Sequence, residues 1–435
     1  GDKLGIYIHI PFCRSKCDYC DFYSLSGREG RMDHYQKALL AHLRETAPLA
    51  QGIPVDSVYF GGGTPSFYGA KRLKELLATL HKLFQIEKDA EITVECNPDS
   101  VDLRALRTLR KAGVNRLSLG MQSAQAEELA AIHRIHTPQQ TDQAAGLARK
   151  AKFNNLSLDL IYGLPGQTMD SWKATVEHAL SLIPQHLSCY GLKVEEGTPL
   201  ARRVAEGVLP DDDQQADLYL WTVGRLARAG YPQYEISNFA KPGFESRHNL
   251  RYWFTRPYIG FGPGAHSDFG GRRYSFVRDL DAYIDGVLHG GNVIDSSELI
   301  PQRERCGEYL MLRLRTAQGI DGVEYRRNYF MDFAPLEARL EQFAAQGWVE
   351  RSPEGRWHFT PKGFLVSNQL IGDLLDRQEQ ASWEDLIVRP ERGRARDPSG
   401  LFPRPQHIRT LRHLAKAFPC FLLCSYFFHN FMSTL

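Results

Sequence analysis

Three of the chain's eight cysteines, Cys13, Cys17 and Cys20, fall within eight residues, spaced C-x3-C-x2-C directly after the run Tyr7-Ile8-His9-Ile10-Pro11-Phe12. Thiols this close cannot pair among themselves as relaxed disulfides, because a bridge demands a defined Cα separation and one of three would be left over. Thiolates suit iron–sulfur clusters and zinc. Protein clusters are ordinarily held by four cysteines, so three would leave one iron of a [4Fe–4S] cluster open to a small molecule. A structural zinc completed by His9 or a distant ligand is the alternative that the cysteines alone leave standing.

Further polar residues fall at corresponding places along the chain. Gly61-Gly62-Gly63-Thr64-Pro65 follows an apolar run, and its lack of Cβ atoms lets a backbone approach a ligand, although a tight turn explains it equally well. Glu95, Gln122, Arg134 and Asp159 offer carboxylates that accept from an ammonium or ribose hydroxyls and a guanidinium that meets a carboxylate. Each singly reads as a salt-bridged structural residue. As a set on one rim they read as a ligand site.

The elements that must position these residues alternate from the start to about residue 195. Strands are predicted at 5–11, 55–60, 91–95, 116–120, 156–161 and 186–193. Helices are predicted at 33–47, 71–84, 102–112, 141–151 and 170–183, the second carrying Leu73, Leu76, Leu77, Leu80, Leu83 and Phe84 at helical spacing. Tandem strand–helix units imply a parallel sheet. A partial six-stranded TIM-like barrel is expected, because the cysteines and Gly61–Pro65 motif fall at strand C-termini, where barrel chemistry sits; a doubly wound sheet is the alternative.

Domain 1–195 is thus read as the barrel. Residues 196–300 are read as an aromatic- and glycine-rich extension of loops and short strands, preceded by a helix at 213–229. Residues 301–375 are read as a helical, winged-helix-like module with helices at 306–315, 324–329 and 336–346 and a hairpin of 348–351 with 357–360. From about 381 to 435, arginines and prolines precede an apolar end. That segment reads as a disordered or non-native tail, or as a basic-plus-apolar membrane-surface anchor.

A formal net charge of +2 gives no sign of nucleic-acid binding. Cys96, Cys189, Cys306, Cys420 and Cys424 show no disulfide framework, which fits a reducing, cytoplasmic compartment. No signal peptide and no apolar run of ~20 residues is in view, so the protein is expected to be soluble, or at most peripheral at the inner membrane face.

The cysteine spacing resembles the signature of radical SAM enzymes, in which S-adenosylmethionine chelates the fourth iron and is cleaved to a 5′-deoxyadenosyl radical. With Gly61–Pro65, Gly120-Met121-Gln122-Ser123, Arg134-Ile135-His136 and Asp159-Leu160-Ile161-Tyr162-Gly163-Leu164-Pro165, residues 4 to 375 resemble the oxygen-independent coproporphyrinogen III oxidase family. The resemblance implies that Cys13, Cys17 and Cys20 hold a [4Fe–4S] cluster and that Tyr7, Tyr19, Gly62, Gly63, Thr64, Glu95, Gln122, Arg134 and Asp159 line the S-adenosylmethionine site. Two features depart from the oxidase: the chain begins almost at its first strand, without the long N-terminal extension, and Asp21-Phe22 follow Cys20 where another cysteine would stand. His248-Asn249-Leu250-Arg251-Tyr252-Trp253 instead matches the HNxxYW signature of the HemW branch, understood as haem chaperones. That implies haem as cargo near His248, since a neutral imidazole is a good axial ligand. Taken without the family, His248 reads as a hydrogen-bonded loop histidine. The implied partners are acceptor haemoproteins, with membrane-bound respiratory enzymes as candidates, and a homodimer as a candidate assembly. Decarboxylation of coproporphyrinogen III is the competing expectation, and an anaerobic haem-degrading radical methyltransferase a weaker one.

Overall fold

The computed structural model describes residues 2–204 and 207–380. Six parallel strands, β1 (Leu4–Ile10), β2 (Pro54–Gly62), β3 (Gln85–Cys96), β4 (Arg116–Gln122), β5 (Leu156–Tyr162) and β6 (His186–Gly191), lie side by side in chain order. A doubly wound sheet reverses its strand order at a switch point; this order never reverses, which leaves the open barrel. The strands alternate strictly. In β4, Leu117, Leu119 and Met121 face the surrounding helices, while Arg116, Ser118 and Gly120 take the opposite face, and β5 repeats the pattern with Leu158 and Leu160 against Ser157 and Asp159. The inner face is therefore polar by construction, and the apolar core lies between barrel and helices.

The crossover helices are set by their stripes and caps. Ala70–Leu83 buries Leu73, Leu76, Leu77 and Leu80 completely. Asp102 caps Leu103–Ala112 through the Ala105 N–H, and Thr137 with Gln140 forms a capping box on Pro138–Lys150. β3 starts six residues before its predicted boundary: Gln85–Asp89 is a polar stretch without apolar alternation, yet Gln85 pairs with Pro54.

The extension builds more sheet than the expected loops and short strands imply. β7 (Gln233–Glu235) and β8 (Asn238–Ala240) add antiparallel to β6, while β9 (Tyr258–Phe261) pairs parallel with β1 and carries β10 (His266–Phe269), β11 (Arg272–Phe276) and β12 (Ile294–Leu299), making one twelve-stranded sheet. Helices Gln302–Arg313, Gly322–Tyr329 and Ala334–Ala345 precede the hairpin of β13 (Val349–Arg351) and β14 (Trp357–Phe359), as the sequence suggests. A further helix, Ser367–Gln380, was not foreseen; it buries Leu370, Ile371, Leu374 and Leu375. One continuous apolar core runs from Leu4 to Leu375. Among the described residues, no helix is long and apolar enough to cross a membrane. The tail from 381 lies outside the described residues.

Candidate functional site

The loop after β1 closes on itself through Leu25 N–H to the Pro11 carbonyl at 2.7 Å and Cys13 N–H to the Leu25 carbonyl at 2.9 Å. The glycine motif after β2 locks against it: Gly63 N–H donates to the Ile10 carbonyl at 2.7 Å and Thr64 N–H to the Phe12 carbonyl at 2.8 Å. A Cβ on Gly63 would stand 2.6 Å from the Ile10 carbonyl oxygen and 2.8 Å from that of Phe12. Both contacts are backbone, so they cannot swing aside. Gly63→Ala is expected to pull the two loops apart and lower the iron retained after anaerobic reconstitution severalfold; unchanged iron would show that the junction does not shape the cysteine loop.

All three cysteines line one cavity of about 1180 Å³, counted with its open mouth. Each sulfur has a polar neighbour: the Thr64 hydroxyl donates to Cys13 Sγ at 3.3 Å, Arg134 Nη1 donates to Cys17 Sγ at 3.3 Å, and Ser24 Oγ lies 3.9 Å from Cys20 Sγ. Burial pushes the Cys13 thiol up to about 11 and raises that of Cys20. Burial thus disfavours the thiolates of Cys13 and Cys20, and a bound metal would favour them. Among the described residues, no three His, Cys, Asp or Glu side chains gather as a single ion requires. His9, the fourth ligand of the zinc alternative, is engaged elsewhere, with Nδ1 3.0 Å from the Tyr7 hydroxyl and Nε2 2.7 Å from the Tyr23 carbonyl oxygen.

Around the same cavity stand Tyr19, Gly62, Gly63, Thr64, Glu95, Gln122, Arg134 and Asp159. Register brings them together, setting Glu95 beside Ser118 and Asp159 beside Ser188. Glu95 accepts from the Tyr59 hydroxyl at 2.7 Å and from Gly62 N–H at 3.2 Å. Burial pushes its carboxyl up to about 7, with Asp159 adding to the rise and the Tyr59 hydroxyl, Gly62 N–H and Arg116 opposing it. Asp159 is likewise raised by burial, against the Ser118 hydroxyl that donates to it at 2.6 Å. Arg134 is fixed by Asn97 Oδ1 at 3.0 Å and the Gly120 carbonyl at 2.8 Å. Gln122 has a positive φ of 66° and a buried, unpaired Oε1 in the cavity wall. Buried polar atoms are rarely orphaned, so this oxygen marks a place for a donor on a ligand. Acidic acceptors, a fixed guanidinium and a vacant acceptor beside three sulfurs fit an amino-acid-bearing nucleoside.

Two expected residues are not on the cavity wall. Tyr7 lies beneath it, its hydroxyl on His9 and its ring stacked on Tyr59 at 6.2 Å. His248 is 1% exposed, with Nδ1 2.9 Å from Ser57 Oγ and Nε2 2.8 Å from the Tyr252 hydroxyl. Both ring nitrogens thus have hydrogen-bond partners, and the residue lies on a helix instead of a loop. Sequence reasoning passed over Tyr59, Arg116, Ser118, Ser188 and Tyr190, all on the cavity wall, where Asn249 of the HNxxYW motif also stands. For the strand residues the signal was present: polar residues at every second position of β4, β5 and β6 mark the inner face.

A six-stranded parallel barrel with a three-cysteine loop after its first strand defines a radical SAM protein, and the radical SAM superfamily model matches residues 7–179. The chain is 35% identical to heme chaperone HemW of Bacillus subtilis, over 85% of this chain and 98% of that protein, and 39% identical to heme chaperone HemW of Mycobacterium tuberculosis, over 86% and 95%. Among solved structures it resembles the coproporphyrinogen III oxidase HemN of Escherichia coli, with a TM-score of 0.76 and 26% identity over 86% of this chain and 90% of that one. The chain belongs to the HemW family within the radical SAM superfamily.

Proposed function

We propose that this protein is a haem chaperone that carries a [4Fe–4S] cluster on Cys13, Cys17 and Cys20, binds S-adenosylmethionine along the barrel rim, and takes up haem for delivery to acceptor haemoproteins. The observation that carries this reading is the likeness to proteins named heme chaperone over almost their whole length. Gly62 to Thr64, Glu95, Gln122, Arg134 and Asp159 would hold the cofactor, with Glu95 facing its ammonium and Arg134 its carboxylate. Cys13, Cys17 and Cys20 would hold the cluster, which when bound would supply one-electron reducing chemistry to the sulfonium beside it. The chain's own residues bind and orient that ligand in a largely buried pocket.

Haem titration of the reconstituted chain, followed by transfer to an apo-haemoprotein, tests the reading. Stoichiometric uptake and transfer are expected. The overall likeness to HemN favours oxidative decarboxylation of coproporphyrinogen III as the second reading; a decarboxylated product from an anaerobic incubation with reductant and S-adenosylmethionine would replace the chaperone reading with it.

Glu95 gives a pH prediction. A carboxyl near 7 when free is pulled down by a bound ammonium, so binding releases a proton and affinity falls as pH drops below 7. Between pH 7.5 and 6 the dissociation constant for S-adenosylmethionine is expected to rise roughly eightfold, and Glu95→Gln should remove that dependence while weakening binding throughout. A wild-type affinity flat across this window would remove Glu95 from the ammonium site.

A further inference from the structure

The HNxxYW residues form the helix Arg247–Trp253, and that helix is fixed beneath the cavity. The Glu91 carboxylate accepts from the backbone N–H groups of Arg247 at 2.9 Å and His248 at 3.0 Å, while Ser57 holds the His248 ring and Trp253 is fully buried. Two side chains connect the helix to the site above it. Asn249 is part of the cavity wall. The His248 ring stacks on the Tyr59 ring at 5.2 Å and 27°, and the Tyr59 hydroxyl donates to Glu95. The chain of contact therefore runs from His248 through Tyr59 to the carboxylate assigned above to the cofactor's ammonium.

We propose that this helix is the floor of the S-adenosylmethionine site, where the Asn249 amide meets the bound cofactor and His248 is a positioning residue that holds Glu95 through Tyr59, and that His248 is not an axial ligand to haem. The proposal rests on reading the cavity as the S-adenosylmethionine site. An amide both donates and accepts, which suits the polar edges of a nucleoside. An axial ligand needs a free nitrogen facing space for a flat macrocycle, and His248 has its two nitrogens on Ser57 and Tyr252 inside the barrel.

The test uses the full chain, reconstituted anaerobically, with S-adenosylmethionine binding read by calorimetry and by its effect on the electron paramagnetic resonance of the reduced cluster, and haem binding read by the Soret band. Asn249→Ala should weaken S-adenosylmethionine by about tenfold, the loss of one good hydrogen bond, and His248→Ala should weaken it severalfold by removing the ring that backs Tyr59, with saturating ligand restoring the wild-type resonance in both. His248→Gln, which keeps polar atoms between Ser57 and Tyr252 but has no ring to lie against Tyr59, should fold and show the same loss. Haem stoichiometry and Soret position should not change in any of them. Tyr252→Phe separates the two roles, because it frees His248 Nε2: an axial ligand would then bind haem more tightly, whereas a positioning residue leaves haem binding as it was. Loss of the haem spectrum in His248→Ala with S-adenosylmethionine affinity intact would overturn the proposal, as would a wild-type affinity in Asn249→Ala and His248→Gln together. Should His248→Ala not fold, the other three variants decide. Wild-type protein that binds no S-adenosylmethionine would instead overturn the reading of the cavity, and wild-type protein that takes up no haem would overturn the chaperone reading alone.

Discussion

Replacing any one of Cys13, Cys17 and Cys20 by serine is expected to reduce the iron of the reconstituted chain from about four atoms to a small fraction of that, with loss of the visible absorption and of any spectral response to S-adenosylmethionine. Three sulfurs are the fewest that leave a single iron open; with two, a second iron loses its protein ligand and the cluster is exposed to solvent and exchange. The loop around them is preorganised for this load. It is clamped by the Leu25 and Gly63 backbone bonds, and Thr64, Arg134 and Ser24 each stand by one sulfur. Arg134 also lies on Asn97 and Gly120, so Cys17→Ser disturbs the cofactor end of the cavity too. Cys189→Ser and Cys306→Ser are the controls, since both cysteines are buried, unbridged and away from the cavity wall. They should retain full iron. Iron and sulfide analysis with metal quantification checks the result, and a wild-type chain that takes zinc and refuses iron would end the cluster assignment.

The barrel was legible because its physics is local and repetitive. Each strand buries one face against helices whose leucines recur at helical spacing, and several of those helices start at polar caps such as Asp102 and Thr137. The cysteine and glycine loops were legible as well, since their chemistry lies in a few adjacent residues. Tyr59, Ser118 and Ser188 were not, because serine and tyrosine are common in any strand and gain meaning only when register turns them toward Glu95 and Asp159. His248 shows a different limit. Its partner Ser57 is 191 residues away, and nothing in the motif itself says that its helix folds back under β2 and β3. β12 escaped for lack of contrast: Ile294–Leu299 is almost wholly exposed, so no burial pattern shaped its sequence. The helix Ser367–Gln380 does carry a readable stripe in Leu370, Ile371, Leu374 and Leu375, and was missed because the domain was expected to end near 375.

Arg251→Met is expected to cost about 3 kcal/mol of stability, the scale for breaking a largely buried ion pair by removing one partner. The guanidinium is 2% exposed and binds three groups at once: the Lys3 carbonyl at 2.8 Å and the Pro257 carbonyl at 3.0 Å through Nη1, and the Asp56 carboxylate through Nη2. Lys3, Asp56 and Pro257 precede or begin β1, β2 and β9, so one side chain ties together the entry points of three strands. Burial pulls the guanidinium down while Asp56 acts to keep it charged. Methionine fills a similar volume but leaves Asp56 without its counter-charge and two carbonyls without this donor. The room for the guanidinium is made by Gly5, whose added Cβ would lie 2.5 Å from Arg251 Cδ and Nε, which makes Gly5→Ala a second route to the same loss. The double variant Asp56→Asn with Arg251→Met separates charge from packing: removing the stranded carboxylate should recover a substantial part of the stability. Urea unfolding followed by circular dichroism measures both, and an Arg251→Met midpoint equal to wild type would mean that the strand entries are held by packing alone.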